Sequence, residues 1–118
     1  MDVNNDIRFC ELLSKMIKNS GMSQVEFYQK LKIKKPYFYD ILGGRSNPPP
    51  PIKQFAIIEI LVPDEQTRNL FFELAAKERQ EVPADIAKYL EQEDRRTAIR
   101  LEFEYADLII NKGGKSNG

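Results

Sequence analysis

Residues 22–47 read Met-Ser-Gln-Val-Glu-Phe-Tyr-Gln-Lys-Leu-Lys-Ile-Lys-Lys-Pro-Tyr-Phe-Tyr-Asp-Ile-Leu-Gly-Gly-Arg-Ser-Asn, and this stretch decides the fold. Ser23 stands where an N-cap is expected, and Glu26 three residues later completes a capping-box pattern. The helix so opened carries Met22, Val25, Phe27, Tyr28 and Leu31. Lys32-Ile33 forms a short linker, and Pro36 suits the first turn of a second helix, where a missing N–H costs nothing. That helix runs to about Leu42 and is stopped by Gly43-Gly44. At helical spacing, Phe38, Ile41 and Leu42 face the apolar residues of the preceding helix. Lys35, Pro36, Tyr39, Asp40 and Gly43 fall on the opposite side, a short polar and aromatic face.

The rest of the chain repeats the helical period, and nothing alternates as a strand. An apolar stripe of Ile7, Phe9, Cys10, Leu12, Leu13, Met16 and Ile17 predicts a first helix from about Asn5 to Asn19, with Gly21 as its stop. Pro48 to Pro51 reads as a stiff connector in extended polyproline conformation, in preference to a ligand for a proline-binding module. A fourth helix, about Ile52 to Leu61, is apolar on nearly every side and is expected to be central. A fifth from about Asp64 to Arg79 turns Leu70, Phe71, Leu74 and Ala75 inward, and a short sixth follows Pro83 to about Leu90. The last, about Asp94 to Ile110, has more apolar surface than one face hides, and the tail from Lys112 is expected to be mobile.

Composition narrows the function classes. A chain of 118 residues with 42% hydrophobic and 31% charged side chains suits one globular domain. No apolar run is long enough to span a bilayer, and the polar, acidic N-terminus does not read as a secretory or transit signal, so the expected location is cytoplasmic. With one cysteine and no histidine, a disulfide framework and a zinc site are both disfavoured. Cys10, on the first apolar stripe, is expected to be a buried structural thiol. Gly43-Gly44-Arg45-Ser46 lacks the spacing and lysine of a phosphate-binding loop, and Glu102 and Glu104 point different ways on a helix. Glu91, Glu93 and Asp94 read as a solvated helix end. No catalytic residue, cofactor or metal is expected.

Charge is unevenly placed although the net charge is zero. Between Lys30 and Lys53, the bases Lys30, Lys32, Lys34, Lys35, Arg45 and Lys53 oppose the single acid Asp40, a balance of +5. Between Ile58 and Asn111 the balance is −6. One face therefore suits a polyanion.

Residues 22–48 resemble, without a gap, the helix-turn-helix of the phage repressor and Cro-like (XRE-type) family. The resemblance rests on the opening Ser23-Gln24, Leu31 at the end of the first helix, Ile33 in the linker, Phe38 and Ile41 in the second helix, and Gly44-Arg45 followed by Asn47-Pro48. Residues 74–90 more loosely resemble the segment that follows this domain in small regulators of phages and mobile elements of Gram-positive bacteria. The resemblance implies an all-α, five-helix repressor-like domain over residues 1–80, a helical extension over 81–111 and a flexible tail over 112–118. It implies double-stranded DNA as partner, with Gln24, Lys34 and Arg45 on backbone phosphates and Gly44 as an amide donor to another. Lys35, Tyr39 and Asp40 are then the base readers. The family commonly has a small residue where Tyr28 stands and glycine where Lys32 stands, and Pro36 replaces a polar reader.

One such module reads few base pairs, so a homodimer on a palindrome is expected. Its contact is placed on Ile99, Phe103, Ala106 and Ile110 of the last helix. The function so implied is a transcriptional regulator, a repressor by resemblance. An alternative keeps the fold but acts mainly by protein binding through the acidic C-terminal half, as an antitoxin or a phage inhibitor of a host defence protein.

Overall fold

In the computed structural model, residues 7–93 and Arg100 are described, and every regular element among them is helical. The chain divides into two units, Met1–Ala84 and Asp85–Gly118. The first holds α1 (Phe9–Ser20), α2 (Gln24–Leu31), α3 (Lys35–Leu42), α4 (Pro51–Leu61) and α5 (Glu65–Arg79). Residues 84–93 are helical too, three residues longer than the period suggested. Among the described residues no helix is long and apolar enough to cross a membrane. The expected helix from Asp94, its dimer residues Ile99, Phe103, Ala106 and Ile110, and the tail lie outside the described residues.

The core follows from helical spacing. Phe9, Leu12, Leu13, Met16 and Ile17 are all buried on α1, at steps of three and four. They meet Phe27 and Leu31 of α2, Phe38 and Ile41 of α3, Ile57 and Leu61 of α4, and Phe71, Phe72, Leu74 and Ala75 of α5 in one cluster. Phe9 and Phe71 lie 5.0 Å apart between ring centres, a spacing at which aromatic pairs attract beyond their burial. The central element is α1, which touches α3, α4 and α5.

This corrects the place expected for α4. Only Gln54, Ile57 and Leu61 of that helix are buried, and Ile52 is 80% exposed. An all-round apolar sequence carries no information about which face is inward, so neighbours decide it. Val25, read as packing beneath α3, is 47% exposed, and Cys10 is half-buried rather than sealed in the core.

Helix ends follow local chemistry with two corrections. Gly21 takes a left-handed conformation at φ 78° and closes α1 through its amide on Lys18 O. The start of α1 is Phe9, not Asn5, because Ile7 and Arg8 precede the helix. Ser23 Oγ accepts the Glu26 amide at 3.0 Å, but Glu26 makes no return bond and lies 4.0 Å from Lys30 instead. At α1 half of a capping box forms: Glu11 takes the Arg8 amide at 3.1 Å, while the Arg8 guanidinium has no acceptor to return the bond. Asp64 caps α5 by accepting the Thr67 amide at 2.7 Å, which holds its carboxyl below the usual carboxylate range.

The proline run is pinned by its carbonyls, since it has no amides to offer. Pro48 and Pro49 are fully buried; Pro48 O accepts from Arg79 Nη1 at 2.9 Å and Pro49 O from Gln54 Nε2 at 2.8 Å. These bonds fix the path from α3 to α4.

Lys32 closes α2 at φ 62°, the conformation that glycine adopts without cost. Its exposed side chain makes no hydrogen bond or ion pair among the described residues. Lys32→Gly is expected to raise stability by about 0.5–1 kcal/mol, the relief of left-handed strain less the entropy of a freer unfolded chain. A urea-denaturation midpoint that falls instead would show that the turn is not strained.

Candidate nucleic-acid interface

Leu31 ends α2, and Lys32, Ile33 and Lys34 turn the chain into α3. The turn is tied on both sides. The Lys32 amide donates to Gln29 O and Tyr28 O, the Ile33 amide donates to Tyr28 O, and Lys53 Nζ donates to Leu31 O at 2.8 Å. Phe38 is fully buried and packs on Phe27, Tyr28 and Tyr39 at 5.7, 5.3 and 5.0 Å between ring centres. Tyr28 is a half-buried ring, and the short helix α3 is held by aromatic contacts.

The outer face of α3 has the composition the period predicts. Lys34 is the N-cap and makes no side-chain cap bond, Lys35 and Pro36 open the helix, and all three are exposed. Tyr39 and Asp40 are half-buried. Tyr39 Oη donates to Gln24 Oε1 at 3.2 Å, which brings the first residue of α2 against the outer face of α3. Gln24, Tyr39, Lys35 and Asp40 therefore share one side of the α2–α3 pair.

Three of the six bases in the +5 stretch are engaged within the fold, Lys30 through its 4.0 Å pair with Glu26. Lys53 caps α2, and Arg45 Nε donates to Asp40 Oδ1 at 3.1 Å while its Nη2 donates to Tyr39 O at 2.9 Å. The Asp40 carboxylate is therefore balanced by Arg45 one turn on. Lys32, Lys34 and Lys35 are exposed and form no ion pair among the described residues. They set the local potential at the start of α3, where the helix dipole adds positive charge.

The exit of α3 differs from what the resemblance implies for Gly44. Its amide donates to Ile41 O at 3.1 Å, and the amides of Gly43, Arg45 and Ser46 donate to Tyr39 O, Asp40 O and Asp40 O. All four amides serve the C-terminus of α3.

Sequence reading leaves out Arg8. Its Nη2 lies 3.4 Å from both Gly44 O and Glu78 Oε1, bringing a further cation to the end of α3. Nothing in the sequence links positions 8 and 44, because the packing of α1 joins them. No protein-family model matches the chain, and neither a curated protein nor a solved structure matches it. The chemistry of these residues is thus the basis for assigning a role.

Proposed function

We propose that this chain is a sequence-specific DNA-binding regulator of the repressor-like helix-turn-helix type, with α2 across the DNA backbone and α3 in the major groove. The observation that carries the reading is the outer face of α3. Exposed Lys34 and Lys35 stand at its start, and Tyr39 bonds Gln24 of α2 while Asp40 pairs with Arg45. Lys34 and Gln24 supply affinity and register on phosphates, whereas Lys35, Tyr39 and Asp40 read base edges. Arg45, over half exposed, contacts the backbone at the exit. A homodimer on a palindromic operator in the cytoplasm completes the reading.

The test is a mobility shift of the full chain on the DNA upstream of its own gene, at two salt concentrations. Specific binding that weakens with salt is expected. Lys34→Ala/Lys35→Ala should reduce affinity at least about tenfold and flatten the salt dependence, as the loss of one phosphate contact and one cationic base reader requires. Failure of the wild-type chain to bind any duplex at low salt would remove the reading.

A second reading, protein binding through the acidic C-terminal half, draws on residues 84–93. Ile86, Tyr89 and Leu90 fall at helical spacing and are each close to or above half exposed. A chain that ignores DNA yet co-purifies stoichiometrically with the product of a neighbouring gene would favour that reading.

A further inference from the structure

We infer that Arg8 and Arg45 together form the seat for a DNA backbone phosphate at the exit of α3, with Arg8 a contact residue from outside the α2–α3 pair. The inference rests on the DNA-binding reading above and adds to it a residue and a reason for Gly43-Gly44.

The two guanidinium groups lie over consecutive glycines. A methyl group on Gly43 would lie 2.5 Å from Arg45 Nη1, and one on Gly44 would lie 2.5 Å from Arg8 Nη1. Any side chain at either position would displace the guanidinium there. The glycines thus clear space for two arginines as well as ending the helix.

Both cations keep donors for a ligand. Arg8 uses Nη2, on Gly44 O and Glu78 Oε1, while Arg45 uses Nε on Asp40 and Nη2 on Tyr39 O. Nη1 of each is left without a hydrogen-bond partner among the described residues. The side chains are 54% and 63% exposed. A guanidinium pairs with phosphate through parallel N–H bonds, which an ammonium does not match. The carboxylates of Glu78 and Asp40 hold the two groups in place. Exposed ion pairs of this kind are weak, so sharing an arginine with phosphate costs little. With the amides of residues 43–46 occupied within α3, the two arginines are the cationic donors at this exit.

The test measures the slope of log affinity against log salt for the full chain on a short random-sequence duplex, with thermal unfolding recorded alongside. Arg8→Ala is expected to lower the slope by about one, so that the affinity lost between about 50 and about 200 mM salt shrinks about threefold. The weakening should be equal across DNA sequences, as for a phosphate contact. Arg8→Lys should recover most of the slope, because it keeps the charge. Gly43→Ala is the cleaner variant: φ is −87° there, so alanine is unstrained, and only the far end of Arg45 must move. It should lower the slope by a similar amount at an unchanged unfolding temperature.

A slope unmoved by Arg8→Ala and Gly43→Ala, in a chain that binds DNA and responds to Lys34→Ala/Lys35→Ala, would overturn the seat alone. A wild-type chain that binds no duplex would overturn both readings. A lower unfolding temperature with the wild-type slope would mark Arg8 as a strut between α1, α5 and the exit.

Discussion

Phe38→Ala is expected to lower the free energy of unfolding by about 3–5 kcal/mol, a large share of what a domain of this size possesses. The ring is fully buried and touches three other aromatic rings, two on α2 and one beside it on α3. Its removal leaves a cavity between two helices of eight residues each, which are too short to persist without tertiary packing. Phe38→Leu keeps most of the volume and should cost under about 2 kcal/mol. Val25→Ala is the matched surface control: at 47% exposure it should change stability by no more than about 0.5 kcal/mol. Urea-denaturation midpoints of the three variants check this order. A loss below about 1 kcal/mol for Phe38→Ala would mean that α3 is anchored elsewhere. Tyr39 packs on the same ring and bonds Gln24, so the cavity variant should also disorder the outer face of α3.

What the sequence makes legible in this fold is local. Ser23, Pro36, Gly21 and the apolar spacing of α1 each act within a turn or two, so their signals survive without knowledge of tertiary neighbours. The ends of α2 and α3 follow from them to within a residue. Lys32 shows the limit of residue preference, because it holds a glycine-like conformation at φ 62°. The amides of Lys32 and Ile33 and the bond from Lys53 secure that turn against its strain.

Long-range choices were not legible. The uniform apolar surface of α4 gave no inward direction, and α1 took the centre because its own stripe is sharply one-sided. Arg79 and Gln54 bond the proline carbonyls across 31 and 5 residues, the first beyond the reach of any local pattern. At the candidate interface, composition located the lysines correctly on the exposed face. It could not show that Arg45 neutralises Asp40, that the exit amides are committed to α3, or that Arg8 arrives from α1. Each depends on which helices pack together.

Glu78 gives the clearest case of such a contact, and its removal is the second large effect expected. Glu78→Ala should destabilise the chain by about 2 kcal/mol, within the range for a buried donor left without its partner. Its Oε2 accepts the amide of Phe9 at 2.8 Å, across 69 residues, while Oε1 lies 3.4 Å from Arg8 Nη2. Phe9 is the first residue of α1 and is 1% exposed, so water is a poor substitute at that amide. A carboxylate there also meets the positive end of the helix dipole. Glu78→Gln retains a carbonyl oxygen for the amide and loses only the charge. It should therefore cost about half as much, near 1 kcal/mol. Equal losses in the two variants would assign the whole effect to charge. A loss below about 0.5 kcal/mol in Glu78→Ala would show that Glu11, the local capping residue, sets the start of α1 unaided. The expected result ties α5 to the first turn of the central helix, and through Arg8 to the exit of α3. Under the phosphate seat proposed for Arg8, Glu78 is its positioning residue, and Glu78→Gln should weaken binding to random-sequence duplex much less than Arg8→Ala, because the cation itself remains.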